Sequence, residues 1–92
     1  MKIIAFQVKN SKPDSAINLA QMEIDLAENT GNKKYMAIAL NTQGVSIYSK
    51  GDYVKAIDIY SRSLKIFEEI GDEKQIGTLL INIGSIYANQ GD

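Results

Sequence analysis

Apolar side chains return along this chain at the 3.6-residue period of an α-helix, and each such stretch stops at a glycine followed by Asp or Asn. Between residues 53 and 70 one stripe reads Tyr53, Ala56, Ile57, Tyr60, Leu64 and Phe67; between 73 and 90 another reads Ile76, Leu79, Leu80, Ile83 and Tyr87. The stopping pairs are Gly31-Asn32, Gly51-Asp52, Gly71-Asp72 and Gly91-Asp92, twenty residues apart. Glycine just past a helix end takes the left-handed conformation that closes off the last carbonyls, and the Asp or Asn beside it accepts free N–H groups of the next helix. The pattern predicts helices over 13–30, 33–50, 53–70 and 73–90, each about 17 residues and roughly 26 Å long. Turns this tight return each helix antiparallel to its neighbour. The fold class is all-α, a row of helical hairpins.

Pro13 falls in the first turn of the first helix after Ser11, where a missing N–H costs nothing, and Asp14 can complete a capping-box-like start. Residues 1–12 read either as a lead-in or as the stump of an earlier helix. Laid over each other at an offset of forty, residues 15–52 and 55–92 share nine identities in thirty-eight pairs. Among them are Ala16 with Ala56, Leu40 with Leu80 and Gly44 with Gly84. The supersecondary unit is a helix pair used more than once. Glycine inside a helix costs up to about 1 kcal/mol against alanine, so the matched Gly44 and Gly84 point to close helix contact, with Ala56 as the small surface opposite.

Composition narrows the function without naming it. The 92 residues are 45% hydrophobic and 23% charged, enough for one small core. Ten basic against eleven acidic residues give a net charge of -1 with the signs interspersed, so nothing forms a footprint for nucleic acid or an anionic membrane. The chain has no Cys and no His, which removes disulfides, thiolate nucleophiles, imidazole bases and the usual zinc ligands. The apolar start at Ile3-Ile4-Ala5-Phe6 is too short for a signal peptide, and no stretch nears the length of a membrane span.

No catalytic constellation stands out, and no metal or cofactor is expected. Glu68 and Glu69 point about 100° apart on one helix and cannot share a substrate. Asp58 and Arg62 read as an i, i+4 surface pair, and the Gly-Asp turns lack the spacing of a phosphate or calcium loop. Tyr53, Tyr60 and Tyr87 lie on the core stripe, and of the five tyrosines Tyr48 is the one expected to face a partner.

Leu40, Gly44 and Tyr48, then Gly51-Asp52-Tyr53, then Ala56, Ile57, Tyr60, Ser63 and Leu64 follow one another in an order that resembles the tetratricopeptide repeat. The most specific piece is the run Lys50-Gly51-Asp52-Tyr53-Val54-Lys55-Ala56-Ile57, and the fourth helix restarts the pattern with Leu80, Ile83, Gly84 and Tyr87. The resemblance covers residues 13–92 and implies helical hairpins stacked as a right-handed superhelix. On it, 13–30 is the second helix of a preceding repeat, 33–72 a full repeat and 73–92 the first helix of a following one. The chain departs from the family in two ways: the interval is forty rather than the usual 34, and Glu68 stands where the helix pair usually ends in proline. The run Ser63–Asp72 is similar to repeats placed ahead of cyclase or histidine-kinase domains in bacterial sensory proteins.

The resemblance implies a noncatalytic scaffold that binds a protein or peptide. Its inner groove is lined by the first helix of each pair, and the candidate groove residues are Asn41, Val45, Tyr48, Ser49, Asn82, Ser85 and Asn89. They include no Lys or Arg, so the basic clamp for a chaperone's terminal carboxylate is not expected, and a neutral amide- and hydroxyl-lined surface suits a peptide backbone. Leu80, Ile83 and Tyr87 would lack a covering helix, which predicts self-association through them, most simply as an isologous dimer. The sequence reads as a fragment of a longer array, cytoplasmic, or periplasmic if part of a longer sensor. The competing class is the regulatory repeat segment of a bacterial histidine kinase or nucleotide cyclase.

Overall fold

The computed structural model describes residues 12–90. It holds four helices: α1 (Lys12–Thr30), α2 (Lys33–Ser49), α3 (Tyr53–Ile70) and α4 (Glu73–Gln90). The expected boundaries agree within one residue. The lead-in or helix stump, the Ser11 start and the Gly91-Asp92 pair lie outside the described residues.

Turn chemistry sets these limits. Gly31, Gly51 and Gly71 have φ of 72°, 90° and 85°, the left-handed region that only glycine enters without strain. After Gly71 the backbone N–H groups of Gly71 and Asp72 both donate to the Phe67 carbonyl, at 2.8 and 3.1 Å, and close α3. The next helix starts immediately: Asn32 accepts from the Tyr35 N–H at 3.0 Å, Asp52 from Lys55 at 3.2 Å and Asp72 from Gln75 at 3.3 Å. The capping-box role expected of Asp14 toward Ser11 lies outside the described residues. The Asp14 carboxylate pairs with Lys50 across the α1–α2 hairpin, an exposed bond that contributes little.

Each helix packs only on its chain neighbours to any extent: α1 on α2, α2 on α3, α3 on α4. The Cα radius of gyration is 14.4 Å, against about 12 Å for a compact globule of this length. Such an open row is what stacking by neighbours produces. The core runs along it, with Ile24 of α1, Ala37, Leu40 and Ile47 of α2, Ala56, Tyr60 and Phe67 of α3, and Leu79 and Ile86 of α4.

Two polar groups stitch the row from inside. Ser63, fully buried, donates to the Ala37 carbonyl at 2.7 Å and ties α3 to α2. Gln43 of α2 donates to Oε1 of Gln21 at 3.0 Å and to the Ile17 carbonyl at 3.4 Å, both on α1.

The core stripes need correcting in three places. Tyr87 is exposed rather than packed in the core, because α4 meets α3 through Leu79 and Ile86 and turns its flank outward; Leu80 on the same flank is exposed, as expected of a strip without a covering helix. Gly44 is a close-contact position, but the nearest atoms to it are those of the Tyr60 ring rather than Ala56. Gly84 has no atom near the place of a Cβ, so close approach does not account for it among the described residues.

Candidate partner-binding groove

Val45 and Tyr48 of α2 face Asn82, Ser85 and Ile86 of α4 across a cleft of about 220 Å³ floored by Tyr60 of α3. Helical spacing explains the convergence. Val45 and Tyr48 are three apart on α2, Ser85 lies three beyond Asn82 on α4, and α3 sits between the two helices and sets their separation. The floor is apolar, from Val45, Ile86 and the Tyr60 ring; the rim is amide and hydroxyl, from Asn82, Ser85 and the Tyr48 phenol. No charged residue lines it.

One hydrogen bond spans the opening. The Asn89 amide of α4 donates to the Tyr48 hydroxyl at 2.8 Å and closes one end of the cleft. The Tyr48 ring rests on Tyr53, with centroids 5.2 Å apart and planes tilted by 30°, so its position is fixed from both sides. Burial, and secondarily Tyr48, pushes the Tyr60 phenol above the usual tyrosine range.

Of the seven expected groove residues, the structure gathers Val45, Tyr48, Asn82 and Ser85 around the cleft and attaches Asn89 through Tyr48. Ser49 turns its hydroxyl back to the Val45 carbonyl at 3.1 Å. Asn41, one turn before Val45, is half-buried, and its Oδ1 is buried without a hydrogen-bond partner. Sequence reading missed Tyr60 and Ile86 as lining residues, since a buried ring at helical spacing looks like core. The i, i+4 step from Asn82 to Ile86 was the available signal.

A second cleft, of about 320 Å³, opens on the other side of α2. Gln43 and Ile47 lie roughly opposite Val45 and Tyr48 on that helix, and the walls come from Asn18 and Gln21 of α1 and from Lys55, Asp58 and Arg62 of α3. Asp58 and Arg62 share this cleft without forming the expected ion pair; among the described residues Lys50–Asp14 is the one salt bridge.

A family model described as the tetratricopeptide repeat matches residues 35–92, which is more than half of the chain. The chain belongs to the tetratricopeptide repeat family. Searches of curated proteins and of solved structures found no match. Repeats of this family are generally noncatalytic scaffolds for protein–protein contact. Among the described residues no helix is long and apolar enough to cross a membrane.

Proposed function

We propose that this chain is a noncatalytic interaction scaffold whose α2–α4 face holds a segment of a partner protein, with α2 and α3 forming the full repeat. The observation that carries the reading is the uncharged cleft between Val45, Tyr48 and Asn82, apolar below and amide- and hydroxyl-edged above. Its 220 Å³ falls below the roughly 300–1,000 Å³ of a small-molecule site. It suits one apolar side chain of a peptide, with Asn82 and the Tyr48 hydroxyl bonding to the adjoining backbone. The absence of Lys and Arg from the lining disfavours acidic anchors.

Peptide display against the chain, followed by titration of the selected peptides, tests the assignment. Peptides with a buried aliphatic or aromatic anchor are expected, and Tyr48→Ala and Asn82→Ala are each expected to weaken them about tenfold, or about 1.4 kcal/mol. Circular dichroism confirms that both variants keep the fold. Equal affinity for wild type and both variants removes the groove assignment.

The run Ser63–Asp72 supports a second reading, the regulatory repeat segment of a bacterial signalling enzyme. A kinase or cyclase domain encoded in the same full-length protein is the observation that would select it.

A further inference from the structure

At the forty-residue offset α2 and α4 carry corresponding stripes with opposite burial. On α2 the stripe lies under α3: the Ala37 carbonyl accepts from Ser63, and Gly44 is covered by the Tyr60 ring. Leu40, between them, is 0% exposed and Ile47 is 3% exposed. Their counterparts on α4, Leu80 and Tyr87, are 54% and 58% exposed.

The first helix shows the other half of the same relationship. On α3, Ile59 is 5% exposed beside Gln43 and Ile47 of α2, and its counterpart on α1, Leu19, is 58% exposed. Leu26, the counterpart of the half-buried Ile66, is exposed to the same extent. The described residues thus leave open an α2-like half of the interface on α4 and an α3-like half on α1. These halves cannot meet within one molecule, because helix contacts run along the row between neighbours and α1 and α4 stand at its two ends.

We propose that a second copy of this chain covers the α4 face, its α1 docking there as α3 docks on α2. The contact joins unlike surfaces, so it is heterologous and propagates head to tail instead of closing as a like-with-like dimer. Leu19 of the incoming copy lies against Ile83 and Tyr87, as Ile59 lies beside Gln43 and Ile47. The proposal makes no use of the groove, and a Tyr48→Ala variant is expected to associate like wild type.

Sedimentation velocity over a range of concentrations tests it with Leu19→Glu and Leu80→Glu, both at exposed positions where folding is preserved. Wild type is expected to grow beyond a dimer as concentration rises, and each variant alone to be monomeric. An equal mixture of the two variants is expected to give a one-to-one complex, because one intact α4 face and one intact α1 face remain. A wild type that stays monomeric up to millimolar concentration overturns the proposal. So does a Leu19→Glu variant that still dimerises, which would mean that two α4 faces pair with each other.

Discussion

The ring of Tyr60 lies 2.7 Å from where a Cβ on residue 44 would stand, with both Cδ1 and Cε1 at that distance. Gly44 therefore lets α2 and α3 approach closely enough for the ring to floor the cleft. In Gly44→Ala the gain in helix propensity of about 1 kcal/mol is opposed by overpacking of about 1–3 kcal/mol, because at 2.7 Å the Tyr60 ring must shift from its packed position. Net destabilisation is expected in urea unfolding, with recovery in the double variant Gly44→Ala, Tyr60→Leu. At Gly84 a Cβ meets nothing within 4 Å, so Gly84→Ala should stabilise by about 0.5–1 kcal/mol. Equal effects at the two glycines would refute the packing argument.

Ser63 is buried and donates to a carbonyl on the neighbouring helix. Ser63→Ala removes the donor and leaves the Ala37 carbonyl to whatever partner its own helix gives, a loss of about 1 kcal/mol. The midpoint of chemical denaturation should fall with an unchanged slope. A midpoint equal to wild type would mean that the bond adds nothing net.

Tyr60 predicts an alkaline limit to stability. Its pKa is raised in the folded state, first by burial and then by Tyr48, so folding favours the neutral phenol. That contribution is complete below the ordinary tyrosine value of about 10 and disappears as pH rises through the higher folded value. Urea unfolding stepped upward through this range should show Tyr60→Phe losing less stability than wild type. Parallel loss in both proteins would assign the alkaline transition to other groups.

Asn41 holds a buried acceptor with no partner. A polar atom in that state costs about 1–3 kcal/mol, and a leucine of similar size restores apolar contact. Asn41→Leu is expected to raise the melting temperature. A lower one would show that the amide is satisfied in solution, by water or by a rotated side chain.

The limits at the three inner turns were legible because they are local: each of these turns rests on a glycine and an acceptor three residues from the N–H that it caps. The close approach at residue 44 was visible as an out-of-place glycine, but its partner was not, since Ala56 and Tyr60 lie on the same face of α3 and spacing alone does not rank them. Burial of Gln43 was hidden because its partner Gln21 is 22 positions away on another helix. The same holds for the Asn89–Tyr48 bond, 41 positions apart. Four of the cleft-lining residues were in the expected groove, while Tyr60 and Ile86 were not. A residue that belongs at once to a core and to the floor of a depression gives only the core signal.

Because each helix leans mainly on its chain neighbours, with α4 held chiefly by α3 and tied to α2 by the exposed Asn89–Tyr48 bond, the molecule has a built-in order of unzipping. Amide hydrogens of α4 should exchange with solvent before those of α2 and α3, whose opening requires two seams to part. Under tension applied at the termini the chain should yield helix by helix, giving a staircase of small extensions rather than a single rupture.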